Sequence, residues 1–196
     1  MNRHSPHRTS SRLLLAALLA GLAALPFAAP AAAQNRDHLT PEEVELIRDN
    51  QELDKRTAVF VRAAERRLLA ATDPASAAKQ AEKEREKWGE VKGSRADLLY
   101  DLSRILDEAV VNVDDVAART PESPLIRKSL YALSQAAGKF LPLLLPLRDS
   151  TQEEKERDYL ERAIETAEEI VEAAKTHAVT AEDLKTKSTG GKKGNN

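Results

Sequence analysis

Apolar residues recur every three or four positions through most of this chain, and this period is the strongest constraint on its fold. The segment from Ser94 to Arg119 shows the period most clearly. Its apolar positions are Leu98, Leu102, Ile105, Leu106, Ala109, Val113 and Val116. Charged residues fall largely on the opposite side, as is typical of a helix packed on a core. Because no alternating Val, Ile and Thr run bounded by turns competes, the sequence predicts an all-α protein.

Start signals frame the first and last of the predicted helices. Thr40 is placed as an N-cap, Pro41 as the first helical residue and Glu43 as the partner that completes a capping box. The apolar track that follows predicts a continuous helix over about 41–71. Two overlapping capping boxes within residues 150–154 predict the start of the last helix, whose apolar stripe runs on towards residue 178.

A third predicted helix starts at Ser123-Pro124 and carries an apolar track as far as Leu147. Pro142 and Pro146 fall inside it, each about 200° around the helix from the apolar track, and so face outward. An interior proline costs roughly 3 kcal/mol, because a hydrogen bond is lost and the ring clashes with the preceding turn. We therefore expect a bend, or a break, in this helix.

The segment 75–90 differs from the others because it is rich in Ala, Lys, Glu and Gln. Trp88 is its only large apolar side chain, and Gly89 follows it. Such a composition favours a helix that has little to bury. The predicted fold is thus an antiparallel up-down helical bundle of four long helices plus a charged helical connector.

The N-terminus has the pattern of a secretory signal peptide. Three arginines precede an apolar run at 13–24, and Ala31-Ala32-Ala33 supplies an A-x-A end, which predicts cleavage after Ala33. The apolar run is shorter than the roughly 20 residues that a membrane span needs. We expect an exported protein, periplasmic or extracellular, with no transmembrane segment in the mature chain.

The predicted domains are a signal peptide at 1–33, a helical bundle at 34–179 and a disordered Lys/Gly-rich tail at 180–196. The whole chain has 30 Lys and Arg against 32 Asp and Glu. Because the signal peptide takes three arginines and no acid, the mature chain has a net charge near −5. This balance gives no electrostatic reason to bind nucleic acid, which favours clustered Lys and Arg.

Cysteine is absent from the chain, which excludes disulfides, thiolate metal sites and a lipid-anchored cysteine. The mature part keeps two histidines, His38 and His177, and neither belongs to a Glu-x-x-His pair of the kind that holds metals in bundles. Surface residues without a role are a better interpretation of the two than a shared metal site. No cofactor is expected.

The most unusual local feature is a polar interruption of the apolar track near Asn50, Asp54 and Thr57. In an up-down bundle this level faces Asn112 and Gln135. One interpretation is a polar layer that sets the register of the helices, or a helix rotated so that these groups are wet. The other is a polar pocket that binds a small ligand.

Two apolar features suggest contact with a partner. The run 140–147 is apolar around more than one face of its helix, and Leu145 is expected to look outward. A deeply buried helix end explains most such runs, and an exposed patch is the alternative. Trp88 stands on a charged helix, where it either docks that helix on the bundle or belongs to an interface.

The segment from Leu39 to Arg56, Leu-Thr-Pro-Glu-Glu-Val-Glu-Leu-Ile-Arg-Asp-Asn-Gln-Glu-Leu-Asp-Lys-Arg, resembles the start of uncharacterised secreted helical proteins of bacteria. The resemblance implies a helical exported protein over most of the mature chain and supplies no site residue. Acidic residues are abundant, but on amphipathic helices they usually form the solvated face.

These features together favour an exported protein without catalytic activity. The leading hypothesis is an interaction or scaffold protein of the cell envelope, with a protein partner or self-association. The alternative is a bundle that binds a small ligand at the polar layer around Asn50.

Overall fold

The computed structural model describes residues 37–185, and all regular structure in this range is helical. The elements are α1 (Pro41–Asp49), α2 (Leu53–Thr72), α3 (Pro74–Trp88), α4 (Arg95–Arg119), α5 (Pro124–Ser150) and α6 (Glu154–Thr176), followed by a 3-10 turn at Ala181–Lys185. No strand occurs between residues 37 and 185. The all-α prediction is therefore confirmed for this range, and the predicted signal peptide lies outside the described residues.

The hydrophobic core is shared by the four longest helices. Its fully buried members include Phe60, Ala63 and Ala64 of α2, Leu99, Leu102 and Ile105 of α4, Ala137 and Leu144 of α5, and Leu160, Ala163 and Ile164 of α6. α2 packs on α4 and α5, and α6 packs on the same two helices. α4 and α5 meet much less extensively, so they face each other across the core.

The prediction of one continuous helix over 41–71 was wrong, because the helix is interrupted between Asp49 and Leu53. The amide nitrogen Nδ2 of Asn50 donates to the Leu46 carbonyl at 2.7 Å, and the Asn50 backbone N–H donates to the same carbonyl at 3.2 Å. The amide of Gln51 bonds the Arg48 carbonyl in the same way. Polar side chains thus satisfy the last carbonyls of α1 and end the helix there.

The connector predicted at 75–90 is α3, a helix with no buried residue. Asp73 caps its start by accepting a hydrogen bond from the Ser76 N–H at 3.0 Å. Gly89 ends it with φ +67 and ψ −175, a backbone conformation that is essentially restricted to glycine.

α5 runs without a break through Pro142 and Pro146, and both prolines are exposed, as their positions predicted. The capping boxes predicted near residue 151 are absent. The Ser150 and Thr151 hydroxyls instead donate to the Leu147 carbonyl at the end of α5, at 3.1 and 2.8 Å. α6 begins at Glu154, and its N-cap residue Glu153 makes no side-chain capping hydrogen bond.

Helical structure is also present just after residue 179, where the predicted bundle ends. Residues 181–185 form the 3-10 turn, which packs against α5. Arg127 of α5 holds this segment by an ion pair with Asp183. The rest of the predicted tail, 186–196, lies outside the described residues.

Among the described helices, α5 is the one that is long and apolar enough to cross a membrane by length and composition. A core helix of a globular protein passes the same test. α5 also supplies Leu133, Phe140 and Leu144 to the core. The finding by itself does not assign α5 to a membrane.

Candidate functional site

A cavity of about 730 Å³ lies at one end of the protein, where α4 ends, α5 begins and α6 ends. This volume falls within the roughly 300–1,000 Å³ that is typical of small-molecule sites. Its lining comprises Val110, Val113, Asp114, Ala117, Pro121, Glu122, Ser123, Pro124, Ile126, Arg127, Leu130, Leu133, Glu169, Ile170, Ala173, His177 and Val179.

The cavity changes in character from its floor to its rim. The floor is apolar and buried, with Val113, Leu133 and Ile170 each no more than 6% exposed. Most of the other apolar lining residues are half-buried, and the charged residues are exposed at the rim. The arrangement offers a dry recess for an apolar group beneath a polar opening.

Helical spacing explains how three separate segments build this surface. On each helix the lining positions recur at steps of three or four, some of them as adjacent pairs, so each helix contributes one face. Small residues occupy two of the wall positions, Ala117 on α4 and Ala173 on α6. Because their side chains end at Cβ, they leave room that a larger apolar residue would fill.

Arg127 is the fixed cation of the rim. Its Nε and Nη2 donate to the two carboxylate oxygens of Asp183 at 2.8 and 3.2 Å. Nη1 donates to the His177 carbonyl at 2.8 Å, and Nη2 to the Ala178 carbonyl at 2.9 Å. The hydrogen bond from Arg127 holds the pKa of Asp183 below its ordinary value, with a backbone hydrogen bond from Thr180 adding to the effect.

The acidic groups of the rim are unpaired. Among residues 37–185, Asp114, Glu122 and Glu169 take part in no ion pair or side-chain hydrogen bond, although all three line the cavity. With Arg127 neutralised by Asp183, these three carboxylates set the charge around the opening. The rim is therefore net negative.

A second cavity, of about 280 Å³, lies between α2, α3 and the start of α4. Its charged lining residues Arg66 and Glu84 lie 3.9 Å apart at their closest nitrogen and oxygen. Burial raises the pKa of Glu84, but hydrogen bonds from Arg62 and Gln80 outweigh it, so the pKa lies below its ordinary value. A small space walled by paired charges is a weaker candidate for a ligand.

A buried ionic cluster joins α1 to α2. The Glu43 carboxylate is fully buried, and its Oε1 accepts hydrogen bonds at 2.5 Å from Nη1 of both Arg66 and Arg67. Arg66 also donates to the carbonyls of Trp88 and Gly89, at 2.8 and 2.5 Å. Burial lowers the pKa of Arg66, and the charge of Glu43 opposes that effect. The cluster anchors α1 and the end of α3, which is a structural role.

The residues predicted to form a polar pocket are only partly brought together. Asn50 and Asn112 are bridged by Arg56, whose Nε donates to the Asn50 carbonyl at 3.3 Å and whose Nη1 donates to the Asn112 side chain at 3.0 Å. The Asn112 amide also donates to the Glu108 carbonyl at 2.9 Å. Both amide groups therefore hydrogen-bond backbone carbonyls of their own helices and line neither of the two cavities.

The other three predicted residues lie apart from that bridge. Asp54 pairs with Lys128 of α5 at 2.5 Å, Thr57 is buried, and Gln135 is exposed. None of the five predicted pocket residues lines either of the two cavities described above.

The two predicted partner residues differ in exposure. Leu145 is 39% exposed, and its neighbour Leu143 is 50% exposed. Trp88 is half-buried, with the guanidinium carbon of Arg66 5.8 Å from its ring centroid and Lys87 Nζ at 5.9 Å. Trp88 thus helps to dock the end of α3.

The two histidines lie in different surroundings. His38 Nε2 is 2.7 Å from the Glu108 carboxylate, while His177 caps the end of α6 and is exposed at the cavity rim. Within residues 37–185, no group of three or more His, Asp and Glu side chains is placed to hold a metal ion.

Sequence reasoning missed Arg127, Asp114 and Glu169 as site residues. The available signal was the coincidence of small residues on two helices, Ala117 and Ala173, with nearby acids. Comparison of the chain with protein-family models, with curated proteins and with solved structures finds no match. A functional assignment therefore rests on the chemistry of these side chains.

Proposed function

We propose that this chain is an exported, non-catalytic helical protein that binds a small, largely apolar molecule between α4, α5 and α6. The observation that carries the proposal is the cavity of about 730 Å³ with its apolar floor. A concave apolar recess with a few polar groups at its opening is the usual form of a small-molecule site. Export follows from the basic and apolar pattern before residue 34.

The proposal places the site in an up-down bundle of α2, α4, α5 and α6, in which the direction alternates along the chain but some neighbouring helices run in the same direction, with α3 as connector. Contacts between α4 and α6 support a side-by-side pair with the same direction. Arg95 and Glu156, each near a helix start, lie 3.2 Å apart, and Asp107 accepts a hydrogen bond from Thr166 farther along.

The opposite directions of α5 and α6 are supported by contacts at both ends of the pair. Arg148, near the end of α5, donates to Glu161 near the start of α6 at 2.8 and 2.7 Å. Arg127, near the start of α5, bonds the His177 carbonyl at the end of α6.

The non-catalytic part of the proposal rests on the exposure of the rim carboxylates. Acid–base work by paired carboxylates requires environments that push their pKa values apart, most often through burial. Asp114, Glu122 and Glu169 are all exposed. Their positions suit the orientation of a ligand better than proton transfer.

The test is titration of the mature protein with N-phenyl-1-naphthylamine, an uncharged apolar dye that fluoresces in dry surroundings. Saturable binding to one site is expected. Ala117→Phe and Ala173→Phe fill the cavity and are expected to abolish that signal, while helix content and the melting temperature show that they remain folded.

Val111→Phe is the matched control, because Val111 is 57% exposed on α4 and does not line the cavity. It adds the same aromatic ring and should leave the titration unchanged. Absence of saturable binding, or equal binding by all three variants, would contradict the proposal.

A second candidate function is contact with a protein partner or self-association through α5. It is favoured by a short exposed apolar strip, in which Leu143 and Leu145 lie between the exposed Pro142 and Pro146. Leu145→Glu is expected to weaken any association seen by sedimentation equilibrium or by isolation from envelope extracts. Trp88→Ala is the companion variant, and retention of every co-purifying partner by both would exclude this strip and Trp88 as the interface.

A further inference from the structure

We infer that the molecule bound in the α4–α5–α6 cavity is a cationic amphiphile, with an apolar body and an amine or quaternary ammonium head. The inference rests on the proposed function and adds the charge of the ligand. Its apolar body would occupy the floor formed by Val113, Leu133 and Ile170. Its head would lie at the rim.

Charge complementarity decides the sign of the head. Among the lining residues within 37–185, the unpaired charges are Asp114, Glu122 and Glu169, and the one Arg or Lys side chain is Arg127. Arg127 is already saturated by Asp183 and two carbonyls. An anionic head would therefore meet three carboxylates without a free cation to bind it.

The helix ends at this site favour the same sign. α4 and α6 both end here, and helix C-termini carry partial negative charge, whereas α5 alone begins here. The protein itself places the Arg127 guanidinium on the carbonyls of His177 and Ala178, which directly follow α6. A ligand cation beside Asp114 and Glu169 would likewise place positive charge near the ends of α4 and α6, on the open side of the cavity.

The test compares three probes that share one decyl chain: decyltrimethylammonium, decanol and decanoate, each below the concentration at which it forms micelles. Binding to the mature protein is measured by isothermal titration calorimetry at pH 7 and low salt. The expected order is decyltrimethylammonium tightest, decanol next and decanoate weakest. The preference for the cation is expected to shrink as salt is added, since exposed charges are screened.

Asp114→Asn combined with Glu169→Gln removes two of the three rim charges. This variant is expected to bind decyltrimethylammonium roughly three- to tenfold more weakly and decanol with unchanged affinity, given the usual strength of exposed ion pairs. Asp115→Asn combined with Glu165→Gln is the matched control. It removes the same net charge from the same two helices, at positions that do not line the cavity.

The outcomes separate the two proposals. If none of the three probes saturates a single site, the small-molecule function itself fails. If decanol and decanoate bind as tightly as decyltrimethylammonium, the cavity binds ligands but the cationic head is wrong. Equal losses in the rim variant and its control would show that overall charge, rather than the rim, attracts the cation, and would also overturn the inference.

Discussion

Arg127 and Asp183 form a bidentate ion pair, with Nε to Oδ1 at 2.8 Å and Nη2 to Oδ2 at 3.2 Å. The pair joins the first turns of α5 to the 3-10 turn that follows α6. Because Arg127 also bonds the carbonyls of His177 and Ala178 just after α6, it fixes one edge of the cavity. Among the described residues, Arg127 is the one side chain that hydrogen-bonds the segment 180–185 to a helix.

Replacement of this arginine should release the turn without unfolding the protein. Arg127→Ala is expected to increase amide hydrogen exchange at 180–185 strongly, with little change in the melting temperature, because both partners lie near the surface. Lys185→Ala is the control, since Lys185 pairs only within the turn, with Glu182. If residues 180–185 remain as protected in Arg127→Ala as in the native protein, other contacts hold the turn.

The same contact predicts a dependence on pH. The pKa of Asp183 is lower in the folded protein than the roughly 3.9 of a free aspartate, because Arg127 bonds its charged form. The stabilisation is thus complete above that unfolded value and is lost as the pH falls through the lower, folded value. The protection of amides 180–185 from exchange, relative to an unstructured chain at the same pH, is measured from pH 6 downward and is expected to stay constant until the pH falls below about 4. Release that begins well above this range would rule out Asp183 as the titrating group.

Glu43 is predicted to be the most costly single acid to neutralise. Glu43→Gln leaves Arg67 buried without a counter-charge and leaves Arg66 with only Glu84, 3.9 Å away. Breaking a buried ion pair in this way costs about 3–5 kcal/mol. The measurement is the free energy of unfolding in urea. Glu45→Gln on the same helix breaks an exposed pair with Arg48 and is expected to cost less than about 1 kcal/mol. Equal losses for the two variants would contradict a buried anchor.

Two glycines should respond in opposite directions to the same substitution. Gly89 has φ +67, and a Cβ there would lie 2.9 Å from the Thr40 hydroxyl oxygen and closer still to the Glu42 carboxylate. Gly89→Ala is expected to lower the free energy of unfolding by roughly 1–3 kcal/mol.

At Gly138, inside α5, a Cβ meets nothing within 4 Å. Gly138→Ala is therefore expected to raise the free energy of unfolding by about 0.5–1 kcal/mol. Both variants are measured by thermal unfolding. If the free energy of unfolding changes in the same direction in both, the two glycines do not have the different backbone roles described above.

Helices were predictable from the sequence wherever the apolar period and the caps agreed. Ser94 accepts a hydrogen bond from the Asp97 N–H at 3.2 Å and begins α4 where the pattern placed it. The start of α5 at Pro124 was equally clear. The Ser94 signal supplies its own hydrogen-bond partners. Ser123 makes no side-chain cap bond, and the start of α5 relies instead on the fixed backbone angle of Pro124.

The prediction of helix ends was wrong where a side chain had more than one backbone partner available. Asn50 was assigned to a helix interior, but its amide satisfies the Leu46 carbonyl and ends α1. Thr151 was assigned to a cap of α6, but its hydroxyl bonds Leu147 of α5. Short polar side chains compete for nearby carbonyls and N–H groups alike, and the sequence does not say which one is free.

The candidate site was not predictable because it depends on which helices are neighbours. Asp114, Arg127 and Glu169 lie on three different helices, and periodicity assigns a face to each helix without pairing the faces. The pocket predicted around Asn50 required Gln135 to face the same level of the bundle. Asp54 of α2 instead pairs with Lys128, two turns earlier in α5, and Gln135 is exposed.

α4 and α5 are consecutive in the chain yet stand on opposite sides of the core, so the four residues between them must cross one end of the protein. The crossing holds the end of α4 and the start of α5 apart, and the cavity lies between them. The proposed ligand cavity thus depends on the connectivity of the helices, and redesign of the crossing would alter it directly, because Pro121, Glu122 and Ser123 of the crossing are among its lining residues.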